Sequence, residues 1–192
     1  LICRPIPESS TRVAAIQTGE VDVVGRLSSE EAQSLLGVPG VKVIRYPSTR
    51  IYYIAFNNLT TGVDQPTEDP LVRQAMNYAV DVDAIIENLL SGLGTRIASP
   101  IGPGYLGYNP DVAPYPYDPE KAKKLLSESG VGQDTVLELF LPQNYEPHVK
   151  AGEVYQDMLT KVGLNVKIKL VDWSTWISDV YRGGKYDLTV IG

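Results

Sequence analysis

A run of apolar residues followed by two helix starts most constrains what this chain can fold into. Residues 51–57 are apolar or aromatic almost throughout, as is typical of a strand buried on both faces of a sheet. Asp69 then offers a capping carboxylate, and Pro70 occupies the first helical position, where its missing N–H costs nothing. A second helix is predicted from Asp81, with Gly92 at its left-handed end. The stretch predicts a central strand packed against helices.

Helical and strand patterns alternate along the rest of the chain. Residues 164–170 alternate strictly between apolar and polar, which predicts a strand near a sheet edge, and residues 92–119 predict an ordered loop. This alternation predicts an α/β fold, a mixed sheet flanked by helices. Further helices are predicted near residues 10–19, 28–37, 118–130, 146–162 and 174–182, and further strands near residues 21–24, 41–46, 135–141 and 186–191.

Charge and composition exclude some classes of partner. A formal net charge of −6 without any basic block argues against nucleic acid and anionic membrane. The single cysteine, Cys3, can form no internal disulfide and does not identify a redox compartment. No apolar stretch reaches 18 residues, and the first residues lack the apolar core of a signal peptide, which read alone suggests a cytosolic protein.

Residue types that carry catalysis are scarce, so we expect a protein that is not an enzyme. His148 is the only histidine, which excludes a two-histidine metal site and a histidine relay within this chain. The segment at residues 102–104 lacks the lysine and the strand-to-helix setting of a phosphate loop. We therefore expect no cofactor and no metal. Twelve tyrosines against two phenylalanines favour a binding surface, although tyrosines at the edge of the core are the plainer explanation.

The best candidate for ligand contact is the loop of Gln143, Asn144 and Tyr145. It follows the carboxyl end of a predicted strand and precedes a helix, which is where open α/β sheets present ligands. An ordinary polar turn is the alternative. Arg26 follows the strand predicted at residues 21–24 and is a candidate for an anionic group, with a solvated arginine as its alternative. Trp173 and Trp176 are assigned to packing.

Several segments, in order, resemble one family. The chain is similar to the family 5 extracellular solute-binding proteins, the dipeptide, oligopeptide and nickel receptors of bacterial ABC importers. The resemblance runs over nearly the whole chain, and its motifs stand in the family's order. It is carried by residues 52–57 (YYIAFN), 69–81 (DPLVRQAMNYAVD), 99–104 (SPIGPG), 107–110 (GYNP) and 115–126 (YPYDPEKAKKLL).

The resemblance implies a type II periplasmic binding protein, with residues 1–192 as one domain. That domain would be the second, C-terminal lobe, with its ends near the hinge to a missing first lobe. The implied partners are a small-molecule or peptide ligand and the permease subunits. The implied location is the periplasm or the extracellular face of the membrane, with a lipid anchor as one possibility, which replaces the cytosolic expectation. Peptide, nickel-chelate and sugar receptors share these motifs, and we expect a peptide.

The resemblance also implies roles for individual residues. The loop of Gln143, Asn144 and Tyr145 is expected to touch the ligand, and His148 is expected to face it. Tyr53 corresponds to a position that approaches the ligand, with a core role as the alternative. Two other functions stay open: a protein-interaction module that reuses the lobe fold, and a small hydrolase that uses tyrosine, aspartate and His148.

Overall fold

The computed structural model describes residues 1–46, 48–57, 65–132 and 134–192. Contacts between residues divide the chain into two compact units. The first unit comprises Leu1–Ser48 and Leu90–Gly94, and the second comprises Thr49–Leu89 and Thr95–Gly192. The single domain expected over residues 1–192 stays a prediction.

The first unit contains two short helices, α1 (Ser9–Gln17) and α2 (Ser29–Ser34). Helix α2 begins with the predicted capping box, because the Ser28 hydroxyl accepts from the Glu31 N–H and the Glu31 carboxylate accepts from the Ser28 N–H. Helix α1 begins at Ser9, one residue before the start predicted near residue 10, and Glu8 at its N-cap makes no side-chain capping hydrogen bond.

The strands predicted at residues 21–24 and 41–46 are absent from the structure. Both segments have the apolar pattern of a strand, yet no part of the first unit that the structure describes pairs with them. A strand needs a neighbour to accept and donate its backbone hydrogen bonds. Val23 and Ile44 consequently lie exposed. The apolar pattern is typical of a strand, but it does not show whether another strand lies beside it.

The second unit alternates helices and strands, as predicted. The short helix at residues 173–175 continues directly into a π-helical segment, Trp176–Arg182. The loop at residues 92–118 contains no helix or strand. The elements of this unit are β1 (Tyr53–Phe56), α3 (Pro70–Ala79), α4 (Val82–Asn88), α5 (Pro119–Ser129), β2 (Val136–Pro142), α6 (Glu146–Lys161), β3 (Asn165–Val171), α7 (Trp173–Thr175) and β4 (Leu188–Ile191), with a 3₁₀ turn at Pro66–Glu68.

Three aspartates start the helices where the sequence predicts. The side chain of Asp69 accepts from the Leu71 N–H, and the side chain of Asp81 accepts from the Ala84 N–H. Asp118 caps α5 in the same way. Each carboxylate satisfies an N–H that has no partner within its helix. These local signals fix the starts of α3, α4 and α5.

The sheet has four strands in the order β1-β4-β2-β3. Strand β2 runs parallel to β3 and β4, whereas β1 runs antiparallel to β4, so the sheet is mixed as predicted. The expectation for β3 at an edge is confirmed. The expectation that residues 51–57 form a central strand is wrong, because β1 lies at the other edge of the described sheet and Tyr53 is 47% exposed. An apolar run rich in tyrosine suits a half-covered edge strand as well as a buried one.

One face of the sheet carries the main core. Leu137, Leu139 and Leu141 alternate along β2 and are fully buried, together with Leu188 and Val190 of β4. Helices α3, α5 and α6 contribute buried residues to the same core. The opposite face carries Thr189, which packs with Trp176 and is buried. Both faces of β4 are therefore covered.

Polar contacts fix the segment that enters β4. The buried side chain of Asn57 donates to the carbonyls of Gly184 and Tyr186, and its backbone N–H donates to the carbonyl of Asp187. The Asp187 carboxylate accepts from the Glu138 N–H at 2.7 Å, and burial raises the pKa of this carboxyl group. Residues from β1 and β2 thus hold β4 in register from both sides.

Substituting Gly152 with alanine tests the packing of α6 on β2. A methyl group at Gly152 would lie 3.2 Å from Leu141 Cγ and closer still to its methyl groups. Alanine normally stabilises a helix interior by about 1 kcal/mol over glycine. We expect Gly152→Ala instead to lower the free energy of unfolding by about 1–3 kcal/mol, because Leu141 is fully buried and cannot move away. Denaturant unfolding measures this difference.

The matched control is Glu153→Ala on the exposed side of the same helix. We expect it to change the free energy of unfolding by less than about 0.5 kcal/mol. A Gly152→Ala protein as stable as the wild type would contradict the close packing of α6 on Leu141.

Candidate functional site

The carboxyl ends of three parallel strands meet at one edge of the sheet. The register pairs Pro142 at the end of β2 with Val171 at the end of β3, and β4 runs in the same direction. Strand β1 is antiparallel, so its first residue, Tyr53, pairs with Ile191 at this edge. Loops that leave β2 and β3 and the segment that enters β1 therefore lie together, at the position where open α/β sheets bind ligands.

Four rings form a continuous aromatic cluster at this edge: Tyr52, Tyr145, His148 and Trp173. His148 lies between the two tyrosines, with ring centroids 5.2 Å from each. Tyr145 in turn lies 5.0 Å from Trp173 at an interplanar angle of 42°. Tyr52, Tyr145 and Trp173 are each 36–41% exposed, whereas His148 is 2% exposed. The aromatic cluster thus presents three partly exposed rings over a buried imidazole.

The structure brings together two of the predicted site residues, Tyr145 and His148. Gln143 and Asn144 lie beside them with exposed side chains, and the Gln143 N–H donates to the Val171 carbonyl at 2.9 Å. This bond holds the predicted loop against the end of β3. The role of these side chains in ligand contact stays a prediction.

Tyr53 and Arg26 are not members of the aromatic cluster. Tyr53 is half-exposed at the start of β1, and the ring that contacts His148 belongs to its neighbour Tyr52. Arg26 belongs to the first unit, has a left-handed backbone with φ of 58°, and accepts a hydrogen bond from Arg12 at its carbonyl. Their ligand contacts also stay predictions.

Sequence reasoning missed Tyr52 and Trp173 as members of the site. Trp173 follows the carboxyl end of β3 just as Gln143 follows β2, so the strand-end rule that selected the loop at residues 143–145 also identifies Trp173. The assignment of both tryptophans to packing is confirmed, because Trp173 packs against Trp176 and Tyr145 while it remains 38% exposed, and Trp176 is buried. Choosing Tyr52 over Tyr53 requires the pairing register, which the sequence does not show.

The surroundings of His148 favour the neutral form of its imidazole. Burial is the larger of two causes that lower its pKa, and the positive charge of the nearby Arg50 guanidinium is the other. Within the described residues its Nδ1 atom is buried without a hydrogen-bond partner. The Arg50 guanidinium lies 4.9 Å from the centroid of the Tyr52 ring, at a distance suited to a cation–π contact. The site therefore combines a positive charge with uncharged rings.

Helix α7 positions Trp173 through the side chain of Asp172. That carboxylate accepts from the hydroxyls of Ser174 and Thr175 and from the Thr175 N–H, and these bonds hold its pKa well below its usual range. Trp176 is fixed by a 3.0 Å hydrogen bond from its indole N–H to the Thr189 hydroxyl, which donates to the Phe140 carbonyl. The indole stack is thereby tied to β4 and β2.

The described part of the chain contains no group of three or more His, Cys, Asp or Glu side chains placed to hold a metal ion. None of its helices combines the length and apolar character needed to cross a membrane.

Comparison with known families gives a match along the whole chain. The family described as "Bacterial extracellular solute-binding proteins, family 5 Middle" matches residues 1–192.

The chain belongs to family 5.

Family 5 relatives include binding proteins with different named ligands. The chain is 32% identical over 169 residues to the glutathione-binding protein GsiB of Pectobacterium atrosepticum, covering 88% of this chain and 32% of that protein. It is 30% identical over 190 residues to the dipeptide-binding protein of Escherichia coli K12, covering 97% of this chain and 35% of that protein. It is 38% identical over 130 residues to the heme-binding protein A of Haemophilus influenzae, covering 68% of this chain and 23% of that protein.

A solved family 5 structure confirms the fold class. The periplasmic binding protein DppA of Helicobacter pylori, in complex with the peptide STSA, superposes with a TM-score of 0.83 at 28% identity over 98% of this chain. This chain covers 35% of DppA. The chain thus spans about a third of the length of the relatives to which it is most fully aligned.

The lowered pKa of His148 predicts a pH-dependent stability. Because the folded state holds this pKa below its ordinary 6.5, the unfolded chain binds a proton first as the pH falls. The native protein therefore loses stability as the pH falls through 6.5 toward the folded pKa. We expect His148→Phe, which keeps a ring between Tyr52 and Tyr145, to remove this part of the loss.

Thermal unfolding of both proteins at about pH 7.5 and about pH 5 measures the effect, since a histidine titrates between these values. Carboxylates contribute equally to the loss of stability of both proteins. The contribution of His148 is therefore the loss of the wild type minus the loss of His148→Phe. Equal losses would show that His148 is not held neutral.

Proposed function

We propose that this chain is the second lobe of a two-lobed substrate-binding protein of an ABC importer, which captures an extracellular peptide between its lobes. Membership of family 5 and similarity to a dipeptide-binding protein and to peptide-bound DppA support this proposal. Such a protein works by binding rather than by chemistry. The ligand favours the closed arrangement because only that arrangement lets both lobes contact it.

The observation that carries the proposal is the aromatic cluster at the carboxyl edge of the sheet. Three partly exposed rings, a neutral imidazole and the charge of Arg50 can pack against a peptide but supply no activated nucleophile. The exposed amides of Gln143 and Asn144 would bond to the peptide main chain beside Tyr145. This arrangement favours a binding protein over the hydrolase alternative.

The remaining assignments belong to the same proposal. Tyr53 and Arg26 would contact ligand in the closed protein, and the first lobe would supply the other wall of the cleft. The permease subunits of the importer would receive the ligand. The protein would work in the periplasm or on the extracellular face of the membrane, either soluble or lipid-anchored.

Isothermal titration of the complete native protein tests the proposal with three ligands: a dipeptide, glutathione and heme. We expect the dipeptide to bind, and we expect Tyr145→Ala to weaken that binding by at least about fivefold, because an aromatic contact in a buried interface is worth about 1–3 kcal/mol. The control is Tyr117→Ala, because Tyr117 is exposed and interacts electrostatically with Lys161 at the far end of α6. Lys161 is about 20 Å from His148 along that helix.

Two results would contradict the proposal. The first is binding of heme, or of glutathione with its γ-linked glutamate, without binding of any peptide that has only α-linkages. The second is micromolar peptide affinity of the 192-residue chain alone, because one lobe offers only one wall of the cleft. The mass of the native protein supplies an independent check, since a two-lobed receptor is expected to be roughly three times as long as this chain.

A further inference from the structure

We propose that the peptide taken by this site carries an aromatic side chain, whose ring stacks on the exposed face of Trp173 beside Tyr145. The inference rests on the proposed function, since it names the class of peptide that the same site selects.

The two tryptophans form an offset stack in which Trp173 remains partly exposed. Trp173 and Trp176 have centroids 5.1 Å apart and are nearly parallel, at 3°. Trp176 is 3% exposed, so it covers one face of Trp173 and is itself covered. The 38% of Trp173 that remains exposed is the part that neither Trp176 nor Tyr145 covers.

Tyr145 adds a second surface for the same ring. It stands at 42° to Trp173, so a planar group laid on the indole would meet the tyrosine at a tilt. Aromatic rings favour offset-stacked and tilted or edge-on contacts over a direct sandwich, because their faces are negative and their edges positive. The pair offers a third ring both of these favourable arrangements. An aliphatic side chain of the same volume would gain only the apolar contact.

The stack is fixed before ligand arrives. Trp176 donates its indole N–H to Thr189, and Asp172 holds the first turn of α7 through Ser174 and Thr175. A rigid surface loses little side-chain freedom on binding, so more of the contact energy appears as affinity. The same rigidity makes the surface selective, because it cannot reshape around a branched aliphatic group.

A matched pair of peptides tests the inference with the complete native protein. The tripeptides Ala-Phe-Ala and Ala-cyclohexylalanine-Ala differ in the π system of one side chain and have nearly equal apolar volume. We expect the phenylalanine peptide to bind roughly three- to tenfold more tightly, as aromatic stacking beyond area burial implies. Isothermal titration gives both dissociation constants.

Three variants locate the preference. Trp173→Leu should remove the difference between the two peptides, and Trp173→Phe should restore most of it. Tyr117→Leu, an exposed aromatic substitution near the far end of α6, should leave it unchanged. Thermal unfolding of each variant shows whether the fold is retained, and the Phe variant keeps the test informative if the Leu variant is unstable.

The outcomes separate this inference from the proposed function. Equal binding of the two tripeptides, or a preference that survives in Trp173→Leu, would overturn the inference while leaving a peptide receptor in place. Absence of binding to both tripeptides and to Ala-Ala-Ala would overturn the proposed function and the inference together.

Discussion

The pairing of β4 with its two neighbours is the interaction on which the second unit depends. Strand β4 binds β1 antiparallel on one side and β2 parallel on the other, so it joins β1 to the parallel pair of β2 and β3. The buried amide of Asn57 and the carboxylate of Asp187 fix its entry at both sides. Because the Asn57 side chain is buried, removing its carbonyl partners would leave its amide unsatisfied, which typically costs about 1–3 kcal/mol. The ordering of the sheet therefore rests on a few polar contacts.

The position of the site follows from this pairing. Three parallel strands end at one edge, and the single antiparallel strand begins there, so aromatic residues from distant parts of the chain become neighbours. Tyr52 precedes β1, Tyr145 follows β2 and Trp173 follows β3. The contact from Trp176 through Thr189 to Phe140 then ties the cluster to the covered face of the sheet. The site is thus a product of topology rather than of any contiguous motif.

Local signals were predictable from the sequence, and long-range partners were not. The caps at Asp69, Asp81 and Asp118 act within one helical turn, so residue type and spacing were sufficient. The place of β1 at an edge depends on residues near the other end of the chain, which no local pattern reveals. Tyr145 was selected through the strand-end rule, and His148 was selected through the family resemblance. Tyr52 was missed in favour of Tyr53 because neighbouring residues of an extended segment point to opposite sides, and only the register decides between them.

The stacked indoles have a consequence for observing the protein. The chain has two tryptophans in all, and both lie in this stack at the edge of the sheet. The tryptophan fluorescence of these 192 residues therefore originates from one place, and the tyrosines around it can transfer excitation to the same pair. A molecule that approaches Trp173 changes the polarity around half of the emitters. This family member thus contains its own optical reporter at the surface where ligand is proposed to bind.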